Sequence, residues 1–246
     1  MLFLIFGAAA LFMILERLRP DQPLPHRPGW WARAVALNLG QLGAVVVAGL
    51  TWDRWLGGWS LFGLPALSPA LGGLVGYLVT TFGFYWWHRA RHASQRLWRV
   101  FHQVHHSPTR LETITSFYKH PAEQLMNGLL TALISYSLLG LSVEAAAWAT
   151  GISAVAEFFY HMNVATPRWL GYLFQRPEMH RIHHEAGRHQ DNYADLPVWD
   201  LLFGTFRNPP RYDGPCGFGA HEARIWEMLR FRDLSPELEA LPKEPA

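Results

Sequence analysis

The sequence predicts an all-α fold, an integral-membrane bundle of about four to five membrane helices with a cytoplasmic, histidine-rich helical cap. Three observations support this prediction. The 246-residue chain is 50% hydrophobic and only 16% charged, whereas roughly 25% charge is typical of soluble domains. Five apolar stretches divide the chain. Basic residues collect in alternate connections between these stretches, and the histidine-rich segments lie on the same side.

Each apolar stretch is a candidate membrane helix. The stretches are Leu2–Leu15, Ala34–Thr51, Leu71–Trp87, Leu125–Leu139 and Val143–Tyr160. The first is shorter than the about 20 residues that a span needs. It lacks the basic start of a signal peptide and its positive charge follows the apolar run, so we expect a membrane helix. Only "GLS" separates the last two stretches, which predicts a tight helical hairpin with Ser142 capping the second arm.

The basic residues orient this bundle. Most lie in the connections that hold the histidines: Arg17, Arg19, Arg27, Arg33, Arg89, Arg91, Arg96, Arg99, Lys119, Arg168, Arg176 and Arg181. The opposite connections contain only Arg54. By the positive-inside rule, every histidine-rich segment is therefore expected on the cytoplasmic side. The alternative is a soluble all-α protein with buried core helices, which several helices that are apolar all round disfavour.

Composition excludes several function classes. A net charge of +2 is too small to indicate a nucleic-acid partner. A single cysteine, Cys216, excludes both a disulfide framework and a thiolate-rich metal site, so nitrogen and oxygen must bind any metal. We expect one membrane-embedded catalytic domain over residues 1–206, with its histidine motifs between 88 and 184. Residues 207–246 are expected to form a cytoplasmic C-terminal tail.

Eight histidines form three motifs, "HRARH" at 88–92, "HQVHH" at 102–106 and "HRIHH" at 180–184. The residues are His88, His92, His102, His105, His106, His180, His183 and His184. On a helix, histidines four residues apart share one face and can bind one metal. Adjacent histidines point about 100° apart and cannot easily aim at the same atom. The motifs therefore indicate two neighbouring metals, and the isolated His26, His189 and His221 are assigned no role.

The identity of the metal follows less directly from these residues. Imidazole suits iron, zinc, copper and nickel alike. Zinc would favour hydrolysis of a lipid, whereas two irons would favour oxygen chemistry on a lipid that stays in the bilayer. A membrane metal-binding or metal-transport protein is a further alternative. Transporters are expected to carry ionisable residues in mid-membrane, and these stretches carry few.

In their order and spacing, these motifs resemble those of the fatty acid hydroxylase and sterol desaturase superfamily of integral-membrane di-iron oxygenases. The resemblance runs from about Trp86 to Phe206. It includes "KHPAE" at 119–123, "HMN" at 161–163 and "DNYADLPVWDLLFGTF" at 191–206. It implies a helical membrane protein whose cytoplasmic cap holds two irons. With O2 and supplied electrons, such a site hydroxylates or desaturates a lipid such as a fatty acyl chain or a sterol.

The resemblance also implies roles for individual residues. The eight motif histidines would be the catalytic metal ligands, and His161 would be a ninth ligand. Some relatives have a further histidine where this chain has Glu157, so that carboxylate would bind iron or a ligand histidine. His120 would be a ligand or a partner of one. Electrons would come from a separate reductase with a ferredoxin or cytochrome, because the chain carries no flavin, nicotinamide or haem motif.

Three further residues are candidates for holding the imidazoles in place, because ligand histidines usually donate their second N–H to a carboxylate or carbonyl. They are Asp191, Asn192 and Asp200. The alternative, that these residues form turns or caps, is about equally consistent with the sequence.

Overall fold

The computed structural model describes residues 2–64, 67–188 and 190–235, and within these ranges it is all-α, as predicted. The pairing between Glu185 and Cys216 is a single isolated β-bridge. His189 and residues 236–246 of the predicted tail lie outside the described residues. The helices, in chain order, are α1 (Leu2–Leu18), α2 (Trp30–Leu50), α3 (Trp52–Leu56), α4 (Pro69–Ala93), α5 (Gln95–Phe101), α6 (Gln103–His106), α7 (Pro121–Ala132), α8 (Val143–His161), α9 (Pro177–His183), α10 (Pro197–Phe203) and α11 (Ile225–Met228).

The close packing of α4 against α8 organises the fold. A glycine at position 73 is required because a Cβ there would lie 2.3 Å from the Cβ of Trp148. Gly73 also faces Ala145 and Ala149 near the start of α8, so the two helices run in the same direction. Their C-terminal turns, which carry His88 and His161, therefore lie at the same end of the molecule.

The predicted hairpin joins α7 to α8. A π-helical segment, Leu133–Leu138, continues α7, and Gly140 turns the chain with a φ of 71°. The side chain of Ser142 accepts a hydrogen bond from the backbone N–H of Ala145 at 3.2 Å, which confirms the predicted cap.

The C-terminal segment packs against the histidine-bearing region. Phe218, Met228 and Leu234 are fully buried in one hydrophobic core with Trp98 and Val104. Residues 207–235, predicted as a tail, thus contribute to the core that supports α5 and α6. Since α6 carries two of the motif histidines, this segment stabilises the site from outside it.

Among the described residues, one helical stretch, Trp30–Leu56, is both long enough and apolar enough to cross a bilayer. The 17-residue α1 is shorter than a typical span, which has about 20 residues, yet it exposes seven large apolar side chains. The bundle of four to five spans and the cytoplasmic position of the cap remain predictions.

Candidate metal centre

Nine histidines converge at the C-terminal ends of α4 and α8 and form two clusters. In each cluster, one ring nitrogen of every member lies within 4.8 Å of those of the others. The five-histidine cluster consists of His88, His92, His102, His106 and His183. The four-histidine cluster consists of His105, His161, His180 and His184. All eight motif histidines and His161 are thus brought together.

Each of the two H-x-x-H-H motifs contributes two histidines to one cluster and one histidine to the other. Their first and last histidines, which are four residues apart, stay in the same cluster, whereas the middle histidine belongs to the other cluster. The rings of His105 and His106 are perpendicular, with centroids 5.6 Å apart. Those of His183 and His184 are inclined by 78°. The offset of about 100° between adjacent helical residues explains this separation.

The nitrogens of the five-histidine cluster are spaced like the ligands of one metal. The Nε2 atom of His102 lies 2.8 Å from that of His88 and 3.2 Å from that of His106. Two nitrogens, each about 2.1 Å from a common metal, lie roughly 3.0 Å apart at a right angle and roughly 3.4 Å apart at a tetrahedral angle. The donor set therefore fits a metal held by imidazoles.

The four-histidine cluster shows the same spacing in a fully buried environment. The Nε2 atom of His180 lies 2.9 Å from that of His161 and 3.1 Å from that of His184. Among the described residues, the Nδ1 atoms of His105 and His180 are buried without a hydrogen-bond partner. Buried polar atoms normally have partners, so these atoms mark groups whose polar needs the protein alone does not meet.

Backbone carbonyls hold three of the rings. The Nδ1–H groups of His88 and His183 donate to the carbonyl oxygens of Tyr193 and Asp191, each at 2.7 Å. His161 donates in the same way to the carbonyl of Glu157 at 2.8 Å. These bonds fix the tautomer in which Nε2 carries the free lone pair that can bind a metal.

A buried carboxylate, Glu123, holds a fourth ring. The Nδ1 of His102 lies 3.1 Å from Glu123 and 3.0 Å from the Nη1 of the buried Arg91, which is ion-paired with Glu123. The sequence offered "KHPAE" as a motif but gave no signal for this role. Glu123 lies three residues after His120, the N-cap of α7. That spacing does not reveal that Glu123 contacts His102.

Burial keeps the clustered imidazoles neutral. It lowers the pKa of His102, His105, His106 and His180 well below its usual range, and nearby positive groups lower it further. Metal binding requires the neutral imidazole, so these rings need lose no proton at neutral pH before they bind a cation.

Of the three residues predicted to position the imidazoles, Asp191 and Asn192 lie in the loop after α9, and Asp200 lies on α10. Asp200 accepts hydrogen bonds from the backbone N–H groups of Tyr193 and Ala194, at 2.8 and 3.1 Å. The side chain of Asn192 bonds to the backbone of Met179 and Arg207. The side chains of Asn192 and Asp200 hold the loop in place. The backbone carbonyls of Asp191 and Tyr193 in this loop hold the rings of His183 and His88, so the effect of these side chains on the imidazoles is indirect.

Glu157 and His120 lie outside both clusters. The Glu157 carboxylate is ion-paired with Lys119, and only its backbone carbonyl contacts His161. The Nδ1 of His120 accepts the backbone N–H of Ala122 at 2.9 Å, which caps α7. Its Nε2 donates to the carbonyl of Leu229 at 3.3 Å. Both ring nitrogens of His120 are therefore occupied away from the clusters.

Comparison with known proteins places this site in a family. A family model described as "Fatty acid hydroxylase" matches residues 73–205, more than half of the chain. The chain belongs to the fatty acid hydroxylase family. The matched range contains all nine clustered histidines of this family member, together with Glu123, Asp191 and Asp200.

This fatty acid hydroxylase family member is also similar to curated lipid hydroxylases and monooxygenases. It is 31% identical over 221 residues to the ornithine lipid hydroxylase of Rhizobium tropici, which covers 83% of this chain and 66% of the relative. It is 32% identical over 161 residues to the alkylglycerol monooxygenase of Homo sapiens, covering 63% of this chain and 34% of the relative. The sphingolipid C4-hydroxylase of Schizosaccharomyces pombe is 25% identical over 153 residues, covering 61% of this chain and 52% of the relative. The chain thus spans between one third and two thirds of these relatives, and no solved structure matches it.

Proposed function

We propose that this protein is a membrane-bound di-iron oxygenase that uses O2 and supplied electrons to hydroxylate or desaturate a lipid. The observation that carries the proposal is the pair of adjacent histidine clusters, one with five imidazoles and one with four. A single metal with an open position needs about three protein ligands, so nine converging imidazoles match two metals. Membership of the fatty acid hydroxylase family and the named activities of its relatives support the same reaction class.

Exposed apolar surface supports the membrane placement. Large apolar side chains are exposed along α1, α2 and α4, including Phe3 at 94% and Leu39 at 62%. Soluble monomers rarely expose contiguous apolar surface on this scale. We propose that α1, α2, α4, the hairpin arm that begins with α7, and α8 cross or enter the bilayer. The positive-inside rule supports a cytoplasmic position for the histidine clusters.

The protein's own groups would prepare this site. When bound, two irons held by the nine imidazoles would supply the redox chemistry that activates O2. The Nδ1–H bonds to carbonyls keep the Nε2 atoms of His88, His161 and His183 directed into the clusters. The Arg91 guanidinium balances the buried charge of Glu123, which in turn holds the His102 ring. The buried surroundings limit the access of water to the reacting groups.

The electrons are proposed to come from a separate reductase with a ferredoxin or cytochrome. The proposed substrate is a membrane lipid such as a fatty acyl chain or a sterol. The alternative function, a zinc-dependent lipid hydrolase, would use the same histidines but would release a lipid head group and would not oxidise the lipid. Metal analysis and O2 uptake separate these two functions.

The test is to purify the protein in detergent, measure its metal content, and follow O2 uptake after adding a reductant and a lipid extract. We expect about two irons per chain, lipid-dependent O2 uptake, and an oxygenated or unsaturated product found by mass spectrometry. Stoichiometric zinc, no O2 uptake and a released lipid head group would refute the proposal.

Histidine variants provide the matched comparison. His105→Ala and His184→Ala should abolish turnover, because each removes a donor from the four-histidine cluster. His26→Ala is the control, since His26 is exposed and lies outside both clusters. Full turnover in His105→Ala or His184→Ala would remove that residue from the ligand set.

A further inference from the structure

A pocket of about 500 Å³ opens beside the five-histidine cluster. This volume lies within the range of small-molecule sites, roughly 300–1,000 Å³. The residues that line the pocket include Arg89, His92, Trp98 and Tyr193. His92 belongs to the cluster and is half-buried, so a molecule in the pocket can contact the edge of the candidate metal centre.

Arg89 gives the pocket a positive charge without an acidic partner in the described part of the chain. Its Nη1 donates to the hydroxyl of Tyr85 at 3.2 Å, and its guanidinium lies over the ring of Trp86 at 5.6 Å. Arg188 also lines the pocket, but it is ion-paired with Asp191 at 2.8 Å. Arg89 is therefore the guanidinium whose charge remains available to an anion.

An apolar surface leads from Arg89 away from the pocket. Trp86, beneath the Arg89 guanidinium, is 43% exposed and contacts the ring of Phe203 at 4.8 Å. Phe203 also contacts Phe82, and the neighbouring Leu202 on α10 is exposed. A chain of apolar side chains on α4 and α10 thus ends at a cation that faces the pocket.

We infer that this pocket binds the anionic head group, a phosphate or carboxylate, of a lipid whose chain lies on Trp86 and Phe203. A guanidinium suits this role because it can form two parallel hydrogen bonds to a phosphate or carboxylate. The continuous apolar surface favours a lipid over a free anion. This inference rests on the proposed function, in which the histidine clusters act on a lipid. It specifies that this lipid has an anionic head group.

The test uses metal-free full-length protein in detergent and measures binding by calorimetry. The probes are dihexanoyl phosphatidylglycerol, which is anionic, dihexanoyl phosphatidylcholine, which is zwitterionic, and glycerol phosphate, which has no chains. We expect the anionic lipid to bind at least about ten-fold more tightly than the zwitterionic lipid. Glycerol phosphate should bind more weakly than the anionic lipid, and added salt should weaken the binding of both anions.

Variants assign the preference to Arg89. Arg89→Gln should abolish the preference for the anionic lipid over the zwitterionic lipid. Arg89→Lys should retain only part of that preference, because lysine keeps the charge but lacks the planar guanidinium that forms two parallel hydrogen bonds. Arg54→Gln is the control, since Arg54 is exposed on the segment between α2 and α4. Phe203→Ala should weaken the binding of both lipids and leave the binding of glycerol phosphate unchanged.

Three results would overturn the inference. The two lipids could bind equally, Arg89→Gln could keep the wild-type preference, or glycerol phosphate could bind as tightly as the anionic lipid, which would identify a site for free anions. Because the protein is metal-free, none of these results alters the iron and O2 measurements. Conversely, a protein that purifies with stoichiometric zinc and, after the zinc is removed, passes this test would refute the oxygenase and keep the lipid site.

Discussion

The five-histidine and four-histidine clusters lie side by side, yet the protein supports them differently. In the five-histidine cluster, backbone carbonyls hold His88 and His183, His102 contacts Glu123, and the half-buried His92 lines a pocket. The four-histidine cluster is entirely buried. In this cluster the carbonyl of Glu157 holds His161, while the Nδ1 atoms of His105 and His180 lack hydrogen-bond partners among the described residues.

This difference indicates a division of tasks. The five-histidine cluster has one more imidazole than the other and borders the pocket, so we expect it to tolerate the loss of one ligand better. The four-histidine cluster has fewer donors and no exposed member, so each of its imidazoles is harder to replace. Four predictions, in order of decreasing effect, test this asymmetry.

Removing a ligand should affect the two clusters unequally. His180→Ala leaves three imidazoles in its cluster, whereas His92→Ala leaves four in the other. We expect His180→Ala to lower the occupancy of one of the two proposed metals and to lose more than about 100-fold of the activity, a larger effect than the 10–100-fold typical of outer-shell changes. His92→Ala should keep most of both metals. Elemental analysis of the purified variants measures this, and equal metal loss in both variants would contradict the asymmetry.

Glu123→Gln should destabilise the protein and weaken the five-histidine cluster. It leaves the Arg91 guanidinium buried without its ion-pair partner, which typically costs about 3–5 kcal/mol. It also weakens the support of His102, so metal affinity should fall about 10–100-fold at this cluster alone. Denaturation and competition with a chelator measure the two effects. Glu144→Gln, at an exposed site, is the control, and a variant that loses stability but keeps its metal affinity would limit Glu123 to a structural role.

Asp200→Ala should loosen the loop that holds His88 and His183. It removes the acceptor for two backbone N–H groups and for the hydroxyl of Thr205. We expect a loss of about 1.5–3 kcal/mol in the free energy of unfolding. Chelator competition should show weaker binding at the five-histidine cluster and unchanged binding at the four-histidine cluster. The exposed Asp213→Ala is the matched variant, and an equal change at both clusters would show that the loop does not act selectively.

Asp195→Asn tests the polar surroundings of the four-histidine cluster through pH. Asp195 accepts a hydrogen bond from Tyr160, whose ring contacts His161 and His180. Burial raises the pKa of Asp195 to about 7. Between about pH 4 and pH 7 the unfolded chain releases this proton while the folded chain keeps it, so the free energy of unfolding falls as pH rises.

Asparagine at position 195 removes that dependence. Relative to wild type, Asp195→Asn should gain stability on the order of 1 kcal/mol between pH 5 and pH 8, or roughly 2–4 °C in Tm. Thermal unfolding of the metal-free protein at both values measures this shift, with Asp213→Asn as the control. A constant difference between variant and wild type would show that Asp195 titrates normally.

Much of the helical framework could be predicted from the sequence. The apolar stretch Val143–Tyr160 became α8, Val143–His161, because Ser142 supplies a local cap that needs no tertiary information. Likewise, α4 is longer than the predicted Leu71–Trp87 at both ends. It begins at Pro69, because proline is favourable in the first turn of a helix, and it continues through polar residues to Ala93. The apolar stretches therefore predicted the helices to within a few residues at most ends.

The pairing of the histidines was only partly predictable. The angle between His105 and His106 indicates that they serve different metals, but not which partners join them. That depends on how α4, α8 and α9 meet, which no local pattern contains. The supports of His88, His161 and His183 were hidden for another reason, since they are backbone carbonyls and every residue has one. His120, next to a proline, looked like a ligand or a partner of one, but its ring caps a helix.

Tyr193 combines two roles that use different atoms. Its carbonyl holds His88, while its side chain lines the pocket beside His92. Since any amino acid supplies that carbonyl, a fluorescent unnatural residue at position 193 should keep the bond to His88 while it replaces a ring that packs on His92 and His183. Such a probe would report, in real time, the arrival and departure of a molecule in the pocket beside the five-histidine cluster.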